Sequence, residues 1–182
     1  QTCALPIWQD LPAQRHGERD GVVGDFLGAV VGDITNRDAG LGGGGHIHGV
    51  ETDAVANMAN VAALLWEYLP DVNWTGFYRM VNGELVLGPF QGKAACIRIA
   101  VGEGVCGTAA ASGETQLVAD VHAFPGHIAC DTASVSELVI PLTKNGTVYG
   151  VLDLDSPKSS RFKERDENEL TRIMNLISNQ IF

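Results

Sequence analysis

From residue 51 onwards the hydrophobic positions of the chain repeat with clear periods. Val55, Met58, Ala62, Leu65 and Leu69 recur at helical spacing, and Pro70 closes the stretch. Thr52 is placed to cap this helix, with Asp53 favourable in its first turn. The stripe reads as a core-facing helix. A dimer seam has the same periodicity, so a homodimer stays open. Trp74 to Met80 is rich in strand formers and is followed by Asn82-Gly83 and a second run, Glu84 to Leu87. Asn-Gly between two such runs predicts a tight hairpin, because both turn residues need positive φ. Ile97 to Val101 reads as a third strand. Gly102-Glu-Gly-Val-Cys-Gly107 then leads into a short helix of small residues, Thr108 to Ser112, stopped by Gly113. Gln116 to Val118 is a short strand. A long polar loop, 119–135, precedes two more strands, Glu137 to Leu142 and Thr147 to Leu154, joined by a second Asn-Gly turn at Asn145-Gly146. Leu170, Ile173, Met174, Ile177 and Ile181 stripe a final amphipathic helix. Paired antiparallel strands between terminal helices predict an α+β domain. The helices pack on one face of the sheet, and a ligand pocket lies under the long loop on the other.

The first fifty residues lack this periodicity. Val22, Phe26, Val30 and Val31 form one weak stripe, interrupted by Gly21, Gly24, Gly28 and Gly32 at about 1 kcal/mol each. With the run Gly42 to Gly45, residues 1–50 read as a disordered leader. Gln1 to Ile7 also resembles the translation of a common sequencing adaptor, which makes the leader an assembly artefact that has cost part of the native N-terminus. Cys3, His46 and His48 then carry no function, and residues 51–182 form the functional domain.

Charge removes several classes. Twelve Lys and Arg against 22 Asp and Glu give a net charge of −10, which disfavours nucleic acid, whose phosphates need a basic face. No apolar run is long enough for a membrane span. Four scattered cysteines without a CxxC pair suggest neither a disulfide-stapled secreted domain nor a structural zinc site. No signal peptide stands out, so the cytoplasm is the expected setting.

The chemistry-bearing residues concentrate between Gln91 and Asp155. Cys130 sits among Pro, Gly, His and Asp in the long loop, a setting for reactivity rather than for packing. Cys96, beside a strand, has a stronger claim to mere burial. For Cys106, at the entry to the short helix, packing and chemistry are equally open, and a helix N-terminus there could lower its pKa. Strand periodicity puts Asp153 and Asp155 on one face, and pairing through the second hairpin can bring Glu137 to them. His122 and His127 fit no common zinc spacing with Cys106 and Cys130, so they read as loop histidines and no metal is expected.

Four stretches carry a closer likeness: Asn73-Trp-Thr-Gly-Phe-Tyr78, Leu87-Gly-Pro-Phe-Gln-Gly92, Gly102-Glu-Gly-Val-Cys-Gly107 and Val151-Leu-Asp-Leu-Asp-Ser-Pro157. Together with cysteines at 96, 106 and 130, they resemble the free methionine-(R)-sulfoxide reductases, a GAF-domain family. The likeness runs from about Glu51 to Ile181. One departure is that the glycine-rich leader stands where the family has a further helix. The resemblance implies that Cys130 attacks the sulfoxide sulfur, that Cys96 resolves the product as a disulfide, and that Cys106 is a secondary thiol. It implies that Glu137, Asp153 and Asp155 line the pocket of free methionine sulfoxide, with Trp74 and Tyr78 packed around it. The acids would hold the α-ammonium, and Glu137 or Asp153 would protonate the sulfoxide oxygen. No cofactor is expected to be bound; thioredoxin, linked to NADPH, is the implied external reductant. The reading from a different class is a non-catalytic GAF sensor for a small ligand such as a cyclic nucleotide. Acids repel phosphates, and no basic pocket replaces them.

Overall fold

A computed structural model describes residues 53–128 and 130–181. The expectations for residues 1–50, including Cys3, His46 and His48, lie outside the described residues. The described chain runs α1 (Ala54–Tyr68), β1 (Trp74–Val81), β2 (Glu84–Gly92), β3 (Arg98–Ala100), α2 (Gly104–Ser112), β4 (Gln116–Val118), a 3-10 turn (Val121–Ala123), β5 (Ser136–Lys144), β6 (Thr147–Ser156) and α3 (Glu164–Ile181). The strands form one antiparallel sheet in the order β3-β2-β1-β6-β5-β4.

Both Asn-Gly turns close as expected. Asn82 and Gly83 sit at φ 53° and 85°, and Asn145 and Gly146 at 53° and 76°, the doubly positive pattern that matches strand twist. The cap of α1 differs from expectation. Asp53, not Thr52, takes that position, and its carboxylate accepts a hydrogen bond from Ala56 N–H at 2.8 Å. The short helix also begins earlier than Thr108. Gly104, at φ 62°, opens its first turn and Cys106 lies within the helix. Glycines count against a helix by propensity, but here they permit contact: a Cβ on Gly107 would lie 2.4 Å from the Ala100 carbonyl oxygen.

Side-chain alternation divides the strands between two interiors. Phe77 on β1, Leu138, Ile140 and Leu142 on β5, and Leu152 and Leu154 on β6 meet Met58, Val61, Leu65, Leu170, Ile173 and Met174 from the two long helices. The stripe on α1 is thus spent inside the chain. Val55, included in that stripe, is half exposed instead. Each fully buried Leu or Ile here contributes roughly 2 kcal/mol. On the opposite face Trp74, Tyr78, Val139 and Val151 pack with Val105, Cys106, Ala109 and Ala110 of α2. The connection β3-α2-β4 therefore carries the chain from one sheet edge to the other across this face, and α2 floors a space that the loop after β4 covers.

β1 and β2 slip register between Gly76 and Tyr78, where the strands approach closely. A Cβ on Gly76 would fall 2.3 Å from Phe90 Cβ and 2.8 Å from the Trp74 ring. Backbone and a stacked ring block relief, so Gly76→Ala is expected to destabilise the fold by about 2 kcal/mol, read as a lower midpoint in urea unfolding with unchanged slope.

Candidate active site

The space between α2 and the 119–135 loop is a cavity whose walls include Trp74, Tyr78, Cys106, Cys130, Glu137, Asp153 and Asp155. Of the site residues that the resemblance implies, Cys96 alone does not line it. Cys96 is instead bonded to Cys130 through a disulfide, with Cα atoms 5.6 Å apart across 34 positions of sequence. Cys130 is exposed and Cys96 half-buried, so the bond lies at the cavity's mouth. Cys106 is the free thiol among the described cysteines and is buried on the floor.

The sheet register explains the acid cluster. Glu137 on β5 pairs with Asp155 on β6, while Asp153 lies between Gly76 of β1 and Val139 of β5. All three carboxyls point to the α2 side. Glu137 and Asp153 are each 6% exposed, and Asp153 Oδ1 has no hydrogen-bond partner. Cys106 Sγ–H donates to Glu137 Oε1 at 3.9 Å. Burial first, then the neighbouring carboxyls, push Glu137 and Asp155 well above the usual carboxylate range. Burial raises Asp153 from 3.8 to about 7. The Cys106 thiol is likewise raised, by burial and then by Asp153 and Glu137. The expectation of a Cys106 pKa lowered by the helix N-terminus is therefore corrected: desolvation and two facing acids outweigh the helix end.

These shifts have a sign. An acid whose pKa is raised by folding binds more protons folded than unfolded between the two values, so stability falls as pH rises through that window. For Asp153 the window runs from 3.8 to about 7. His127, lowered by burial, opposes this slightly. The ligand-free protein is expected to lose thermal stability as pH rises from about 4 to about 7, and Asp153→Asn to flatten the decline. A scanning-calorimetry series over that range checks it; an equal slope in both proteins would contradict it.

The aromatic side chains do more than pack. Trp74 Nε1–H donates to the Lys93 carbonyl at 3.0 Å, and Tyr78 O–H to the Cys96 carbonyl at 3.0 Å. Both thereby hold the 93–97 segment that carries Cys96. Trp74 stacks on Phe90 at 5.2 Å and on Tyr78 at 5.9 Å. Sequence reasoning missed Phe90 as a supporting ring, although it stands inside a quoted motif. It also missed Asn73, Asp131 and Ser134. Asn73 Nδ2 donates to Asp131 Oδ2 at 3.3 Å and to Ser134 Oγ at 3.1 Å, and Lys93 Nζ meets Asp131 Oδ2 at 3.2 Å. Asp131 thus ties the Cys130 loop both to β1 and to the Cys96 segment. Its carboxyl is held low by the Ala133 N–H, then by Lys93 and Asn73. The clue available was its place beside Cys130.

His122 is exposed and bonded to Asp120 at 2.8 Å, while His127 lines the cavity. Among the described residues, metal-ligand spacing occurs in the set Cys106, Glu137 and Asp153, whose ligand atoms lie within 4.8 Å of one another.

Residues 56–181 match the GAF domain family. The free methionine-R-sulfoxide reductase of Escherichia coli K12 is 54% identical over 124 residues, covering 68% of this chain and 75% of that protein. The chain belongs to the free methionine-R-sulfoxide reductase family. The Saccharomyces cerevisiae enzyme of that name is 45% identical over 132 residues, covering 68% of this chain and 73% of the relative. The crystal structure of the Neisseria meningitidis enzyme in complex with its substrate superposes with a TM-score of 0.79 at 38% identity, over 94% of this chain and 96% of that one. The α+β fold with a ligand cavity opposite the long helices is the GAF fold, and the chain is an oxidoreductase of this family.

Proposed function

We propose that this chain reduces free L-methionine-(R)-sulfoxide to methionine, with Cys130 as nucleophile and Cys96 as resolving thiol. The observation that carries the reading is a disulfide at the mouth of a cavity floored by three acids. The Cys130 thiolate attacks the sulfoxide sulfur, oxygen passes to the cysteine as a protonated sulfenic acid, and methionine leaves. The proton for that oxygen comes from Glu137 or Asp153, the buried carboxyls that tend to keep a proton near neutrality. The Cys96 thiol then attacks the sulfenic sulfur, water departs, and the disulfide forms. An external dithiol such as thioredoxin, supplied with electrons from NADPH, reduces it by exchange. The acid cluster accepts the substrate's α-ammonium, with Asp153 Oδ1 an oxygen that still lacks a hydrogen-bond partner, and Trp74 packs against the thioether side. The chemistry belongs in a compartment that keeps thiols reduced, ordinarily the cytoplasm. Among the described residues no helix is long and apolar enough to cross a membrane.

The test is NADPH oxidation in a thioredoxin-coupled assay with each sulfoxide epimer separately. Turnover of the R epimer alone is expected; turnover of neither, or of both equally, counts against the reading. Cys96→Ser is expected to release one stoichiometric round of methionine and then stall with thioredoxin. Mass spectrometry of the oxidised wild type should find the Cys96–Cys130 bridge, and a dominant Cys106–Cys130 bridge would assign the wrong resolver.

A further inference from the structure

The reaction above gives Cys106 nothing to do. It is a buried free thiol on the cavity floor, facing two carboxyls. We propose that Cys106, Glu137 and Asp153 form a binding site for a thiophilic divalent cation, zinc above all, which occupies the cavity in place of substrate. Its inhibitory consequence rests on the proposed reductase reading; the site itself does not.

The geometry points to this ligand class. Cys106 Sγ and Glu137 Oε1 are 3.9 Å apart. A tetrahedral zinc with a sulfur ligand at about 2.3 Å and a carboxylate oxygen at about 2.0 Å holds those atoms roughly 3.5 Å apart. The third donor, from Asp153, completes a triangle in which all ligand atoms lie within 4.8 Å, so small side-chain rotations close it. Asp153 lines the cavity, and its Oδ1 is buried without a hydrogen-bond partner, an oxygen donor whose capacity is unfilled. The three residues come from α2, β5 and β6, regular elements that fix their separation. One soft sulfur with two hard oxygens favours zinc or cadmium over magnesium or calcium, which take oxygen ligands. Three protein donors leave a fourth position open toward the cavity, available to water. Binding releases the thiol proton and the carboxyl protons to solvent.

The test uses the 182-residue chain carrying Cys3→Ser, oxidised so that Cys96 and Cys130 are bridged and Cys106 is the remaining thiol. Cadmium is titrated while the thiolate-to-cadmium charge-transfer absorption is followed, and zinc is then used to displace it. A stoichiometric band is expected. Cys106→Ser should remove it, and Asp153→Asn and Glu137→Gln should each weaken affinity at least about tenfold, near-ultraviolet circular dichroism confirming that the variants fold. No band would overturn the site, as would a band that both carboxyl variants leave unchanged, since that reports a lone thiol. In the coupled assay, zinc should raise KM for the sulfoxide. If the reductase reading itself fails, there is no turnover with or without zinc, while the cadmium band and its dependence on Asp153 and Glu137 persist.

Discussion

Cys130→Ser is expected to abolish sulfoxide reduction while free methionine sulfoxide still binds. The serine hydroxyl is a far weaker nucleophile than a thiolate and cannot become a sulfenic acid. No neighbour can take over. Cys96 does not line the cavity, and the Cys106 thiol is held protonated by burial, Asp153 and Glu137. The loss should therefore reach roughly a thousandfold or more in kcat. In the proposed reaction, binding would rest on a different part of the cavity, the carboxyls of β5 and β6 and the Trp74 ring. Methionine release by chromatography and sulfoxide binding by calorimetry separate the two effects. Substantial turnover by the variant would remove Cys130 from its role; lost binding with an intact fold would mean that the loop, not the floor, holds the substrate.

The second large effect concerns substrate size. Glu137, Asp153 and Asp155 all line the cavity, and in the proposed binding mode a free α-ammonium satisfies them. Peptide-bound methionine sulfoxide offers a neutral amide there and brings chain that the covering loop must exclude. A buried polar group left without its partner costs several kcal/mol. Discrimination against N-acetylated methionine-(R)-sulfoxide is expected to reach about a thousandfold in kcat/KM, on the order of 4 kcal/mol. Asp155→Asn should reduce affinity for the free amino acid much more than it alters alkylation of Cys130 in the reduced enzyme. Comparable wild-type rates on the free and acetylated substrates would mean that the acids do not read the ammonium.

Much of this arrangement was legible from residue order, for identifiable reasons. The Asn-Gly pairs declared both hairpins because few other residues accept two consecutive positive φ angles. The convergence of the three acids followed from strand alternation and one hairpin. Other parts were illegible because they depend on contacts distant in sequence. Nothing local announces that the Trp74 indole and the Tyr78 hydroxyl reach the carbonyls of Lys93 and Cys96, or that Asn73 holds Asp131, 58 positions away. Propensity misplaced the start of α2, since Gly107, which weakens a helix there, is what lets it lie against Ala100 of β3, and Gly104 takes the positive φ that opens the first turn. The pairing of Cys96 with Cys130 was implied by family resemblance; spacing alone favours no pair among three cysteines.

The alternation of β5 and β6 has a consequence for how such a protein can change over time. Each strand carries its hydrophobic anchors and its pocket residues on successive positions: Leu154 beside Asp153 and Asp155, Leu138 beside Glu137. Neighbours in the chain thus answer to opposite demands and do not touch one another across the sheet. Replacing the pocket-side residues would redraw the ligand while leaving intact the apolar layer under the long helices. The architecture permits a lineage to exchange one small molecule for another, or to give up catalysis for sensing, through substitutions at alternate positions of two strands and without a new fold.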